Sequence, residues 1–356
     1  MRKPIPPTSK SSIDARKLFP SMKVEVDSAT VAVADLYHNW LTGLVLGLVT
    51  HKGKEIAAKF VFKLFRHQHH KNFLPGLKKL NLSHLPDAVA AAQYHYFSNQ
   101  LGGVKVEYLK ISDRKAWIRY PPPRWIWAGT AICGIPKEVN NEMMYGWHAH
   151  NGVSLGNPKL GFVCTKTTVE GQPGLEGYYL EYDHDLTKRE RLRFSPNESC
   201  PYIDTNTLPT LDYESWPEIR QSKAYRNYSM EYVRNALPIL VELLGEKEAL
   251  KIGGLSARQI GMHCYDRIAS EAGLTGDKVA DFLDLLEFIL AGSGDTWVRE
   301  KTSIKVGAPA RISKNLTVSE TIQELLNAPL EGLLATHNRF LKLDRVKADT
   351  LSIIKR

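Results

Sequence analysis

Apolar positions along this chain recur first at helical and then at strand spacing, and the whole progression runs twice. Val31, Ala34, Leu36, Leu41, Leu44 and Leu48 mark a helix over residues 28–49. Gly53 interrupts it, and Ala57, Phe60, Val61, Leu64 and Phe65 form the stripe of a second helix over 53–73. Pro86 presets the entry of a third helix, 88–101, which Gly102-Gly103 ends. The period then shortens to two, with strands Val104 to Leu109 and Ala116 to Tyr120 around a Ser112-Asp113 turn. A helix over 136–153 and two strands, 160–169 and 177–183, joined by Gly171-Gln172-Pro173-Gly174, complete the pattern.

The same order returns from residue 229. Helices are expected over 229–244, 246–270 and 277–291, strands near 297–299 and 303–306, a helix over 319–334 and a strand near 340–346. Gly245-Glu246-Lys247-Glu248-Ala249-Leu250-Lys251 stands at the same joint as Gly53-Lys54-Glu55-Ile56-Ala57-Ala58-Lys59. The pattern predicts an α+β protein of two tandem units, each a helical layer packed on a small antiparallel sheet. Residues 1–20, with Pro4, Pro6 and Pro7, read as a flexible arm and 21–185 as a first unit holding the site. The proline-bearing, aperiodic stretch 186–222 reads as a linker, and 223–356 as a second unit, truncated because the chain ends just after Ile354.

Tyr96-Phe97-Ser98-Asn99-Gln100-Leu101-Gly102-Gly103 leading into a strand, and Leu160 to Val169 followed by Glu170-Gly171, carry a family resemblance. This order of three helices, a hairpin, a further helix and a closing hairpin resembles the vinyl-reductase-like ligand-binding fold. It is most similar to the amino-thiazoline-carboxylate hydrolase-like proteins, over roughly residues 30–185 and, more faintly, 229–350. The resemblance implies an enclosed small-molecule pocket and hydrolytic ring opening. Where family members often carry a Cys-Pro and a later Cys, this chain has Tyr120-Pro121 and Tyr178-Tyr179.

Charge narrows the partners. The 356 residues carry 47 Lys and Arg against 38 Asp and Glu, a net +9, but the basic residues are scattered and form no dense block with interleaved aromatics. A small, anionic ligand fits this better than nucleic acid. The four cysteines show no CxxC pairing, which argues against a zinc ribbon or disulfide framework and fits a reducing cytoplasm. No apolar signal region opens the chain, and the most apolar run, Trp40 to Val49, is too short to span a membrane, so a soluble, cytoplasmic protein is expected.

Several constellations suggest chemistry. In Trp147-His148-Ala149-His150-Asn151, a helix would place Val139, Met143, Trp147 and His150 on one face, turning His150 toward the core and His148 away. An extended backbone would instead let His148 and His150 chelate a divalent metal, Zn or Fe. Strand alternation puts Glu181 and Asp183 on one face, where a buried carboxylate serves as a general base toward water. Trp117, Trp125 and Trp127 with Tyr120 form an aromatic wall, and Arg119 and Arg124 beside it offer a fork for a carboxylate. His67, His69 and His70 read as a partly exposed polar face, with His67 and His70 spaced to chelate across one turn. On a later helix His263, Cys264 and Asp266 offer a charge network and a thiol.

No Walker loop, GxGxxG between strand and helix, HExxH or GxSxG is present. The leading expectation is a hydrolase of a small anionic or heterocyclic compound. His150, Glu181 and Asp183 would be its catalytic groups, and Arg119, Arg124, Trp125, Trp147 and Asn151 its substrate contacts. The rivals are a sensor or carrier that binds without turnover and a metal-dependent oxidative enzyme using the histidines. A homodimer is compatible with each.

Overall fold

The computed structural model describes residues 12–14, 21–22, 25–121, 134–307, 319–347 and 350–356. Strand β1 (Ser12–Asp14) pairs antiparallel with β2 (Glu25–Asp27). The carboxylate of Asp27 then caps α1 (Ser28–Lys52), accepting from the Thr30 backbone N–H at 2.8 Å. Gly53, at φ +80°, breaks the chain before α2 (Lys54–Lys79) in a conformation that costs a side-chain-bearing residue roughly 1–2 kcal/mol. Helix α3 (Asp87–Leu101), strands β3 (Glu107–Ser112) and β4 (Lys115–Tyr120), and helix α4 (Lys137–Gly146) follow. A 3-10 turn (His148–His150), α5 (Asn151–Leu155) and strands β5 (Leu160–Lys166), β6 (Leu175–Glu181) and β7 (Leu192–Phe194) come next. Helix α6 (Glu218–Leu244) then leads to Gly245, which repeats the left-handed break at φ +76° before α7 (Glu246–Glu271). Helix α8 (Val279–Ser293), strands β8 (Trp297–Arg299) and β9 (Ser303–Val306), helix α9 (Glu320–His337) and strands β10 (Leu341–Lys347) and β11 (Thr350–Lys355) end the chain.

These elements fall into two compact units. The central one is built mainly from Leu48–Gln221, and the split one gathers Glu25–Gly47 with Ser222–Arg356. In the central unit five strands lie in the order β3-β4-β6-β5-β7, antiparallel except for β7 beside β5. Adjacent residues of a strand point to opposite faces. Tyr120 and Tyr179 therefore look toward α3, whereas Trp117 and Tyr178 pack with Val163 on the other face under Leu109, Leu180 and Cys200. There the Lys115 ammonium sits 3.8 Å from the centre of the Tyr178 ring. Helix α4 lies along α2.

In the split unit the strands run β10-β11-β9-β8, antiparallel throughout. Counted in chain order within each of these two sheets, the first four strands lie as first, second, fourth, third. Helix α7 packs on α9 with backbones nearly touching: a Cβ at Gly261 would stand 2.0 Å from the Pro329 carbonyl oxygen, and one at Gly332 2.0 Å from that of Arg258. Arg267 of α7 donates to Asp35 of α1 at 2.6 Å. Burial raises the Asp35 carboxyl in spite of that guanidinium. Among the described residues no helix is long and apolar enough to cross a membrane.

Several sequence expectations change. Thr350–Lys355 forms β11 between β10 and β9, so the last sheet has the closing strand that its C-terminal position made doubtful. The stretch expected as a linker belongs to the central unit up to Gln221: β7 joins its sheet, Cys200 donates its backbone N–H to Glu176 at 2.9 Å, and the Trp216 indole donates to the Lys79 carbonyl at 3.2 Å. Single long-range hydrogen bonds of this kind leave no period in a sequence. Of the expected arm, only Ser12–Asp14 lies within the described residues.

The α7–α9 contact carries a prediction. Gly261→Ala forces the two backbones apart and should lower unfolding free energy by about 1–3 kcal/mol in chemical denaturation. Gly254→Ala, in the same helix but facing only the flexible end of Arg258 at 3.4 Å, should not lower it.

Candidate functional site

The site grows from a helix that cannot continue. At Gly146 a Cβ would lie 3.0 Å from the Phe62 carbonyl oxygen of α2, so α4 runs into α2 and stops. Arg66 of α2 caps it, donating from Nε to the Gly146 carbonyl at 2.9 Å and from Nη2 to that of Tyr145 at 2.8 Å. Trp147 ends α4 with a distorted backbone (φ −114°, ψ −72°), and the 3-10 turn re-aims the following side chains. The continuous helix expected over 136–153 is thus broken, and the two histidines exchange roles. His148 is buried and His150 half-buried, the reverse of the helical expectation.

The re-aimed His148 meets α3 and the sheet. Its ring lies 4.3 Å from that of His95 and stacks on Phe162 at 4.6 Å. Asn151 donates its amide hydrogens to Tyr179 Oη at 2.9 Å and toward His95 Nε2 at 3.3 Å. One arrangement of protons satisfies these contacts. Tyr179 accepts from Asn151 and donates to His148 Nδ1 at 2.7 Å, leaving the His148 proton on Nε2. His95, accepting at Nε2, donates from Nδ1 to Tyr120 Oη at 3.2 Å. Asn99, one turn along α3, is held by the His95 carbonyl at 2.7 Å. Burial holds the Tyr179 phenol well above its ordinary value, so it remains a neutral donor.

A second group of rings continues the cluster. Trp147 stands edge-on to His69 at 5.6 Å and to His95 at 6.0 Å, and stacks with Tyr94 at 6.3 Å. His69, expected to be partly exposed, is fully buried: it stacks on Phe73 at 4.8 Å and its Nε2 meets Ser154 Oγ at 2.8 Å. At the outer edge the Nε2 atoms of His70 and His150 lie 3.2 Å apart. Burial, aided by His150 and Arg66, pushes His69 down to about 2, and burial with Arg66 and His70 pushes His150 down to about 4. Three buried polar atoms of this cluster have no hydrogen-bond partner: His69 Nδ1, Trp147 Nε1 and Asn151 Oδ1. Their side chains are linked through His95 and Trp147, so one region is short of at least one donor and one acceptor.

Of the residues expected from the sequence, Trp147, His148 and Asn151 meet here, with His150 at the rim. Glu181 and Asp183 do not join them. Glu181 accepts from Asn157 at 3.1 Å, and exposed Asp183 pairs with Arg114 at 2.6 Å, which holds its carboxyl below the ordinary value. Arg119 points to the opposite sheet face from Tyr120 and pairs with Glu107. Arg124, Trp125 and Trp127 lie outside the described residues. His263 and Asp266 are exposed on α7, while Cys264 is buried and its thiol pushed up to about 11 by that burial, unlike an activated nucleophile. The backbone over His148–His150 is a 3-10 turn, not the extended segment that the expected chelating pair required. Among the described residues no group of three or more His, Cys, Asp or Glu side chains is arranged to hold a metal ion. Sequence reading missed His95, Tyr94 and Tyr179 as site members. The signal was weak: His95 and Asn99 share one face of a helix rich in alanine and aromatic residues.

No known family, curated protein or solved structure matches the chain.

The lowered imidazoles imply acid sensitivity. In the folded protein His69 and His150 are neutral over a pH range in which the unfolded chain, at its ordinary value of 6.5, takes up protons. The unfolded state binds more protons below about 6.5, so stability falls as pH drops toward 4 for His150 and further for His69. The melting temperature should be lower at pH 5 than at pH 7.5. His69→Gln should narrow that difference, and an unchanged difference would place the acid sensitivity elsewhere.

Proposed function

We propose that the chain is a small-molecule hydrolase whose reaction centre is the buried network of His95, His148, Asn151 and Tyr179. The observation that carries this reading is the set of three buried, unpartnered polar atoms among histidine and aromatic rings. Burying a polar group without a partner costs about 1–3 kcal/mol, so such a set favours a polar guest. Asn151 Oδ1 would accept from a bound water or substrate N–H, and Trp147 Nε1 would donate to a substrate heteroatom. His148, giving up the hydrogen bond that Nδ1 accepts from Tyr179, would take the proton from water as its oxygen bonds to the substrate carbon, and return it to the departing nitrogen. The flat walls of Trp147, Tyr94 and Tyr179 suit a heterocycle. The resemblance of residues 30–185 to amino-thiazoline-carboxylate hydrolase-like proteins agrees with this chemistry.

The stretches 28–181 and 218–355 would be tandem copies of one α+β plan, although most of the first copy's α1 packs in the split unit. What supports duplication is the common strand order, the matched pairs of long helices, and left-handed glycines at the same joint, Gly53 and Gly245. Among its described residues the second copy has no counterpart of the histidine cluster beyond the Tyr265–His337 contact at 2.8 Å, so one copy would work and the other support.

One observation favours the rival reading of a sensor or carrier: the network is made of imidazole, phenol and amide groups, while Glu181 and Asp183 are held by Asn157 and Arg114. Incubation with a panel of five-membered heterocycles bearing a carboxylate, followed by mass spectrometry, separates the two. Turnover that falls by about 10²-fold or more in His148→Gln and Asn151→Ala is expected of a general acid–base site. Ligands that bind and are recovered unchanged would replace the hydrolase with the sensor.

A further inference from the structure

We propose that His70 and His150 form a two-point chelate for a late first-row transition-metal cation, copper(II) or zinc(II), at the rim of the histidine cluster. The site goes beyond the hydrolase reading and does not depend on it.

Geometry supplies the first argument. Two metal–imidazole bonds of about 2.0–2.1 Å, opened to a tetrahedral angle, hold their nitrogens about 3.3 Å apart. The His70 and His150 Nε2 atoms stand at 3.2 Å, with ring centroids 5.1 Å apart. The two come from separate elements, α2 and the 3-10 turn. Both are anchored at their base, since Arg66 ties the end of α4 to α2 through the Tyr145 and Gly146 carbonyls. The chelate therefore joins an exposed residue of α2 to a half-buried residue of the turn that Arg66 holds beside it.

The neighbouring His69 supplies the second. Its ring lies 5.1 Å from that of His150 and 6.0 Å from that of His70. It is fully buried, and its Nδ1 has no hydrogen-bond partner. With Nε2–H donating to Ser154 Oγ, Nδ1 is left as an acceptor, the group needed to orient a water bound to the metal. Two protein ligands leave the remaining positions to water, an open arrangement rather than a closed structural one.

Charge sets which ions bind. Arg66 and Arg191 oppose positive charge at His150, and no carboxylate among the described residues bonds to either imidazole. Affinity then rests on the metal–nitrogen bonds, so copper(II) should exceed zinc(II), and magnesium, which needs oxygen ligands, should not bind.

Isothermal titration of the full chain in metal-free buffer, with copper(II), zinc(II) and magnesium chlorides, tests the assignment. One equivalent of copper(II) and of zinc(II) should bind, copper(II) more tightly, with nitrogen hyperfine splitting in the copper EPR spectrum. His70→Ala and His150→Ala should each weaken binding at least tenfold, while His67→Ala, one turn away on the exposed face of α2, should leave it unchanged. Circular dichroism and melting of His70→Ala, an exposed position, check that the fold is kept. Undiminished binding in His150→Ala, an equal loss in His67→Ala, or no binding by the native chain would each overturn the proposal.

Discussion

The collision of α4 with α2 at Gly146 is the constraint on which the site depends. The missing side chain lets the helix end come within van der Waals distance of the Phe62 carbonyl, and the Arg66 guanidinium takes up the carbonyls that the ended helix exposes. Because the chain must turn there, Trp147, His148, His150 and Asn151 leave in directions that no single helix could give them. His148 and Asn151 go inward to the sheet, and His150 stays outside with His70. One backbone break thus creates both the buried network and the rim pair.

Inside the break, burial governs the electrostatics. Imidazoles removed from water resist protonation, as the low values of His69 and His150 show, and a buried phenol resists ionisation, as Tyr179 shows. His69, His150 and Tyr179 are consequently held neutral, and the cluster is ordered by who must donate to whom. Such an order is rigid, because changing one tautomer unsatisfies the next group along. Within it, His69 Nδ1, Trp147 Nε1 and Asn151 Oδ1 are the buried atoms that no protein group satisfies.

Much of the fold was legible in the chain, because periodicity and punctuation are local. The helical stripe from Ala57 to Phe65 is the buried face of α2, Pro86 and Gly102 bracket α3, and Gly53 and Gly245 mark real breaks between long helices. The site was legible only in part. Trp147, His148 and Asn151 stood out as a dense polar group beside apolar residues, and three of the cluster's members come from it. His95 did not, because a single histidine in an alanine-rich helix looks like any core residue. Tyr179 did not, because strand alternation alone could not say which of two adjacent tyrosines faced the helices. Glu181 and Asp183 attracted attention by charge, yet Asn157 and Arg114 satisfy them in place.

The sequence by itself determined the alternation of helices and antiparallel strands, the recurrence of that order, and the supply of imidazole, phenol and amide groups. All of these follow from neighbours within one or two turns. Tertiary structure alone decided that α4 stops at Gly146, that His148 turns inward and His150 outward, that residues up to Gln221 join the central unit, and that Thr350–Lys355 closes the last sheet. Each of those outcomes depends on an approach between segments far apart in the chain: a glycine against a carbonyl of α2, an indole reaching the Lys79 carbonyl, a strand finding its edge. Steric exclusion and the demand that buried polar groups be paired act across space, and local periodicity carries no record of them.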